Sequence, residues 1–208
     1  MMNKIKQLGH PWNHKRVYRI YCEMGLNIRI KPKKRLPARE ATALVQPIKP
    51  NICWSIDFMS DVLSNGRRFR TLNVIDDYNR EALLIKPAMS LPARYVTRLI
   101  DEIASLRGYP NIIRVDNGPE FISKVFKEWA NRNGIFIQYI QPGKPAQNGF
   151  IERFNRTYRE DVLDMYIFEN LNDVIRITQN WIISYNNERP HESLANLTPR
   201  DFAIARCL

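Results

Sequence analysis

Apolar and polar positions follow two periods along this chain. A period of two, or a short apolar run, predicts strands, and apolar residues at three- and four-residue steps predict amphipathic helices. The predicted strands cover residues 53–59, 68–75, 81–85, 112–116 and 135–140. The predicted longer helices cover residues 92–106, 121–131, 148–162 and 171–185, and shorter helical patterns lie within residues 1–25 and after Thr198.

The order of these elements indicates the fold class. Three strands joined by hairpin signals, of which Asn65-Gly66 is a strong one, are followed by helix, strand, helix, strand and helix. We therefore expect an α/β fold with one mixed five-stranded sheet flanked by helices. A chain of 208 residues, 44% of them hydrophobic and 11% aromatic, can bury the core of one such domain and carry a small appendage.

Charge divides the chain near Pro50. The net charge is +11, and residues 1–50 hold twelve Lys and Arg against two acids, whereas the remainder holds twenty against nineteen. We predict a basic arm over residues 1–50 and a nearly neutral domain over residues 51–208. Such an arm typically contacts phosphate backbones, although a solvated tail remains an alternative. The candidate DNA contacts in the arm are Lys15, Arg16, Arg19, Lys33, Lys34 and Arg35.

Several classes of protein are disfavoured by composition. Three scattered cysteines do not make a disulfide framework, and the pair His10 and His14 lacks the further ligands of a zinc site. No apolar run approaches the roughly 18 residues of a membrane helix, and no signal sequence follows Met1. We expect no membrane partner and a cytoplasmic protein.

Three acids stand where chemistry could occur. Asp57 lies in an alternating strand, on the side away from its bulky apolar residues, and Asp116 ends a short apolar strand before Asn117-Gly118. Glu152 lies about one turn into a helix that Asn148 is positioned to cap, behind a Pro- and Gly-containing loop. Singly, Asp116 could be a turn residue and Glu152 a first-turn acid placed for the helix dipole.

A longer series of motifs surrounds these acids. The segments are WSIDF at 54–58, TLNVIDDY at 71–78, RVDNGPEF at 114–121, QPGKPAQNGFIERFN at 141–155 and YNNERPH at 185–191. Thirty-five residues separate Asp116 from Glu152. This ordered series, over about residues 54–202, resembles the insertion-sequence transposases with a retroviral-integrase-like catalytic domain encoded in their second reading frame.

The resemblance implies a ribonuclease-H-like fold and a catalytic site. Asp57, Asp116 and Glu152 would be both the catalytic residues and the ligands of two Mg²⁺ ions, with Mn²⁺ as a possible substitute; Asp57 would bridge the ions. The implied reactions are DNA hydrolysis at an element end and strand transfer into target DNA during transposition. It also implies a homo-multimer on DNA, a possible companion reading-frame product and a place on the bacterial nucleoid.

Further residues are candidates for DNA contacts or for packing. Beside the acids, Lys144, Gln147, Asn148, Arg156 and Arg159 are candidate phosphate or base contacts, or else solvated surface. Trp181 is expected in the core. The motif at 185–191 either packs against the end of the chain or takes part in function.

Two alternatives remain beside the transposase. Residues 13–26 resemble the end of a helix-turn-helix region that precedes the catalytic domain in this family, so we expect a chain shortened at its N-terminus. Such a chain could be an inactive DNA-binding remnant that modulates a full-length transposase. A ribonuclease-H-like nuclease without strand transfer is the other alternative, and the motif from Gln141 to Glu152 disfavours it.

Overall fold

The structure is a computed structural model that describes residues 2–26, 44, 46–141 and 145–206. Lys33, Lys34, Arg35 and Lys144 lie outside the described residues, as do all of residues 27–43 and residue 45 of the predicted basic arm. No helix in the described part of the chain is long and apolar enough to cross a bilayer.

Five strands form one mixed sheet, as the sequence predicts. The sheet has the order β3-β2-β1-β4-β5, with the first three strands antiparallel and β4 and β5 parallel to β1. The strands are β1 Cys53–Val62, β2 Arg68–Asp76, β3 Ala82–Ala88, β4 Ile112–Val115 and β5 Phe136–Tyr139. The carboxyl ends of β1 and β4 therefore point the same way.

Helices precede, connect and follow these strands. They are α1 Met2–Gln7, α2 His14–Glu23, α3 Ala93–Arg107, α4 Pro119–Ile122, α5 Lys124–Arg132, α6 Gly149–Tyr158, α7 Leu171–Glu188 and α8 Pro199–Ala205. Thr198 caps α8 as its sequence predicts, because its side chain accepts a hydrogen bond from Asp201 N at 3.1 Å.

Both faces of the sheet are covered, and the alternation along β1 decides which side chain faces which layer. Trp54 and Ile56 pack with α3 and α5 in one core cluster. Met59 packs with α6 and α7 in a second cluster, which also contains Trp181 at its edge. Asp57 has the parity of Met59, so it faces α6, away from Trp54 and Ile56 as predicted.

Two helices differ from their predictions. The single helix expected over 121–131 is broken at Ser123, which has extended backbone and accepts a hydrogen bond from Phe126 N at 3.2 Å, so it caps α5. The helix that begins at Gly149 widens into a π-helical segment at Arg159–Leu163. Asn148 precedes α6 but makes no capping hydrogen bond, since a 3-10 turn, Pro145–Asn148, leads into the helix.

Candidate active site

The three predicted acids come from three different elements of one side of the domain. Asp57 lies in the middle of β1, Asp116 directly follows the parallel neighbour β4, and Glu152 lies in the first turn of α6. The α6 helix packs across β1 and β2. The negative charges of Asp116 and Glu152 are close enough to act on the carboxyl group of Asp57.

Asp57 is fixed by hydrogen bonds. Its Oδ1 accepts from Phe58 N, and its Oδ2 accepts from Asn155 Nδ2, both at 2.8 Å. Asn155 Oδ1 in turn accepts from Asn73 Nδ2 at 2.7 Å, and Asn73 and Asn155 are both buried. This chain of amides joins β2 to β1 through α6 and holds one carboxylate in one orientation.

The electrostatic setting of Asp57 is unusual for a carboxylate. Its pKa is raised to about 6. Burial is the main cause and the charges of Asp116 and Glu152 contribute, while the hydrogen bonds from Phe58 and Asn155 oppose the rise. Among the described residues, none of the three acids has a Lys or Arg within ion-pair distance. The cluster therefore holds negative charge that no basic side chain of the described domain neutralises.

Asp116 is exposed and is set by its own turn. Its Oδ1 accepts from Gly118 N at 2.9 Å, and Asn117 Nδ2 donates to Ile140 O at 3.0 Å. A Cβ added to Gly118 would lie 2.9 Å from Asp116 Oδ1, so a side chain at 118 would displace the carboxylate. Position 118 favours glycine because the Asp116 carboxylate lies so close to it, and not because its backbone is left-handed.

Glu152 is exposed at the rim of a groove on the outer side of α6. The groove has a volume of about 510 Å³ and is lined by residues that include Glu152, Arg153, Arg156 and Arg189. A carboxylate at this rim is accessible to a large ligand.

The donor set suits hard divalent cations, since carboxylates are the side-chain ligands that Mg²⁺ prefers. In the described parts of the chain, however, no three His, Cys, Asp or Glu side chains stand close enough together to hold a metal ion. What the structure does supply is repulsion of the Asp57 carboxylate by the charges of Asp116 and Glu152, which a cation would relieve.

The candidate DNA contacts are placed in different settings. Arg156 is exposed beside Glu152, whereas Arg159 bonds to Asp61 Oδ2 at 3.3 Å and to Ser60 O at 3.0 Å. Gln147 Oε1 accepts from Gln141 N at 3.0 Å, and Asn148 is buried with no partner for its Oδ1. Their DNA contacts stay predictions.

In the basic arm, Lys15, Arg16 and Arg19 are exposed on α2. Arg16 lies 5.9 Å from the ring centroid of Trp12, and Arg19 Nε lies 3.5 Å from Glu23 Oε1. These side chains present charge to solvent, and their DNA contacts also stay predictions.

The motif at 185–191 lies beside the second core cluster. Tyr185 is buried, and Asn186 bonds both the N and the O of Ala82, at 2.9 and 3.0 Å, which ties α7 to β3. The first half of the motif therefore packs as the structural alternative expects. Arg189 and His191 instead line a cavity between α6 and the segment that follows α7.

Sequence reasoning did not assign a role to Asn73 or Asn155, although Asn155 lies three residues after Glu152 on one helix face. Polar residues at that spacing on an otherwise apolar helix are a usable signal. The sequence around Asn73 carries no such signal, because the role of an amide inside a strand depends on its partner on another element.

Comparison with known proteins shows the family of this chain. The chain matches the family described as the integrase core domain twice, over residues 47–145 and 133–199. An uncharacterized 31.7 kDa protein of insertion element IS407 from Burkholderia multivorans is 42% identical over 199 residues, which are 96% of this chain and 72% of that protein. The chain belongs to the insertion-sequence transposases with an integrase-like core.

A second insertion-element relative and two solved structures are also similar to this transposase. A 39.2 kDa protein of insertion element IS476 from Xanthomonas euvesicatoria is 40% identical over 191 residues, 92% of this chain and 55% of that protein. The HTLV-2 integrase catalytic core domain, solved with magnesium in a dimeric form, superposes with a TM-score of 0.53 at 18% identity, covering 75% of this chain and 98% of that one. A chain of the simian T-cell lymphotropic virus intasome gives 0.58 at 16%, covering 75% and 56%. The predicted ribonuclease-H-like fold is thereby confirmed.

Proposed function

We propose that this transposase cuts DNA at the ends of an insertion sequence and joins those ends to target DNA. The observation that supports the proposal is that the charges of Asp116, after β4, and Glu152, on α6, act on the carboxyl group of Asp57 in β1. Among the described residues, no Lys or Arg lies within ion-pair distance of these acids. A site of that charge favours cations, and phosphodiester transfer needs a cation for the charge that develops on oxygen.

Asp57, Asp116 and Glu152 would hold the divalent ions, two Mg²⁺ in the proposed site, with Mn²⁺ as a substitute. When bound, such ions make the attacking oxygen more nucleophilic and stabilise charge on the leaving oxygen. The magnesium in the HTLV-2 core supports this assignment by likeness of fold.

The chain's own residues would orient this chemistry. Asn155 and the N–H of Phe58 keep both oxygens of Asp57 in place, and Gly118 leaves room for the carboxylate of Asp116. In the first step a water oxygen forms a bond to phosphorus at the element end while the bond to the 3′ oxygen breaks, which frees a 3′-hydroxyl. In the second step that hydroxyl attacks a target phosphate and displaces a second 3′ oxygen.

The proposed partners follow from the reaction. Two element ends and a target must meet, so we propose a homo-multimer on DNA that acts at the nucleoid, and the dimeric HTLV-2 core and the simian intasome support assembly in proteins of this fold. A companion reading-frame product could add recognition of the ends. Residues 1–50 would add contacts to phosphate.

The test is the substitution Glu152→Gln, which removes one charge and keeps the shape of the side chain. We expect the loss of divalent-metal-dependent DNA cleavage together with unchanged DNA retention in a gel-shift assay. Glu169→Gln on the exposed loop before α7 is the matched control and should cleave like the wild type.

Unchanged cleavage by Glu152→Gln would overturn the site. A wild-type chain that binds DNA in Mg²⁺ and Mn²⁺ but never cuts it would instead favour the inactive DNA-binding alternative.

A further inference from the structure

A cavity of about 530 Å³ lies between the outer face of α6 and the segment that follows α7. It is distinct from the three acids, and its chemistry comes from Arg80, Arg153, Arg189, His191 and Glu192, with Phe150 and Tyr185 among its aromatic walls. Three arginines face one glutamate, so the cavity attracts anions.

The arginines differ in how far they are already engaged. Arg80 donates to Asp77 O and lies 3.5 Å from the ring centroid of Phe150, and Arg189 pairs with Asp161. Arg153 is exposed and has no ion-pair partner among the described residues. Arg153 is therefore the guanidinium that is free to meet an incoming anion.

His191 supplies a second unsatisfied group. Its ring packs edge-on against Tyr185 at 5.0 Å between centroids, and its Nε2 is buried without a hydrogen-bond partner in the described structure. Burial, together with the charges of Arg189, Arg153 and Arg80, lowers the pKa of His191 to about 4. The imidazole is thus neutral near pH 7, and a neutral ring can donate one N–H to an oxygen of a bound anion.

The cavity adjoins the candidate active site. Arg153, Thr157 and Arg189 line both this cavity and the groove at whose rim Glu152 stands. One polyanionic strand could therefore occupy the groove and the cavity together. A small free anion would fill only one of them.

Resting on the proposed function, we propose that the cavity bounded by Arg153, Arg189 and His191 binds a backbone phosphate of the DNA strand whose end lies at the three acids. The contacts would be charge-assisted hydrogen bonds from Arg153 and an N–H from His191. Such phosphate contacts set the register of a strand without reading its sequence. They would also give the second half of the 185–191 motif its role.

The first experiment measures how salt weakens binding of the full chain to a labelled DNA duplex with a 3′ single-stranded extension, with Ca²⁺ as the cation. Arg153→Ala should bind about tenfold more weakly at low salt, and its slope of log affinity against log salt should fall by about 0.7 to 0.9, the value of one phosphate contact. Arg153→Lys should recover part of both. Arg132→Ala, an equal loss of charge on the exposed end of α5, should leave the slope unchanged.

The second experiment follows His191 directly by NMR. The chain has only three histidines, so the ring signal of His191 can be assigned with His191→Gln. DNA should shift that signal in the wild type and in Arg132→Ala but not in Arg153→Ala. A methylphosphonate strand of the same sequence and inorganic phosphate at equal phosphate concentration should both leave it in place.

Three results would overturn the proposal: a salt slope equal in Arg153→Ala and wild type, a His191 signal that DNA does not move, or a full shift with inorganic phosphate alone. Strand transfer by the wild type, measured beside the His191 shift, separates this proposal from the proposed function. A retained His191 shift without any strand transfer by the wild type would refute the function and keep the pocket, whereas normal strand transfer with no His191 shift would do the reverse.

Discussion

Two groups of acidic residues lie on or beside the central strands, and the fold balances their charges differently. Asp76 and Asp77 end β2 beside the start of β1 and are fully buried. Asp77 pairs with Arg114 Nη1 at 2.5 Å, and Asp76 accepts from Asn51 N and Tyr78 N at 2.9 Å. Arg107 Nη2 lies 3.8 Å from Asp76 Oδ2, so each acid of the first group has a basic partner within the fold.

The second group, Asp57, Asp116 and Glu152, has hydrogen bonds but no described basic partner. Only Asp57 of this group is largely buried, and Asp116 and Glu152 are exposed. A buried acid without a nearby cation costs stability, and repulsion among three acids adds to that cost. The comparison teaches that a carboxylate becomes a candidate for function when the fold leaves its charge to be balanced from outside.

Breaking the ion pair of Asp77 and Arg114 in the first group should have the largest effect on stability. Arg114→Gln leaves Asp77 buried without its cation, so we expect the free energy of unfolding to fall by about 3–5 kcal/mol in urea denaturation. The double change Asp77→Asn with Arg114→Gln should recover part of this loss, because no buried charge is left unpaired. Asp116→Asn, at an exposed acid, should change stability little. A loss below about 1 kcal/mol for Arg114→Gln would mean that the pair is not a structural element.

Removing the charge of Asp57 from the second group should raise, and not lower, the free energy of unfolding. The folded pKa of Asp57 lies above its ordinary value, so the folded state binds the extra proton more tightly, and the stability from this group is present at low pH and lost as pH rises through about 6. In EDTA, Asp57→Asn should therefore gain up to about 3 kcal/mol relative to the wild type between pH 4 and pH 8. The stability difference between Asp57→Asn and the wild type is compared at the two pH values, so the effect of any hydrogen bond lost with the carboxylate cancels. A stability difference that does not change with pH would contradict the raised pKa of Asp57.

A smaller effect should follow from loosening the second group without removing an acid. Asn155→Ala removes the hydrogen bond to Asp57 and leaves Asn73 Nδ2 unpaired, and we expect cleavage to fall about 10- to 100-fold, the usual range for a group that orients a metal ligand. The concentration of Mg²⁺ needed for half-maximal cleavage should rise more at pH 6 than at pH 8, because Asp57 would bind its proton more tightly. Asn131→Ala on the exposed face of α5 is the control. Equal loss at both pH values would make Asn155 a packing residue only.

Much of this comparison could be predicted from local patterns. The five strands and the elements that carry the three acids follow from alternation and turn residues, whereas the spacing of Asp116 and Glu152 points to a site only through the resemblance to the transposases. The broken helix at Ser123 and the π-helical segment at Arg159 could not be predicted from periodicity. Ser123 competes locally as a cap, and the π-helical segment places Arg159 against Asp61 and Ser60, which belong to a distant strand.

For a related reason, the difference between the two groups of acids could not be predicted from local patterns. Asp77 and Asp57 both lie in or beside apolar strands, and both belong to the motifs that resemble the transposases. What separates them is Arg114, 37 positions away from Asp77 and on another strand. Pairing of charges is a property of the assembled sheet, so sequence alone could not show which aspartates remain available.

The most direct test of the account is strand transfer by the purified chain from a labelled, pre-cleaved element end into a plasmid, in Mg²⁺ or Mn²⁺, with one aspartate changed in each group. We predict joined product with the wild type, none with Asp116→Asn despite a normal fold, and with Asp77→Asn a product that scales with the fraction of folded protein. Joined product from folded Asp116→Asn at the wild-type rate would contradict the assignment of the second group as the active site.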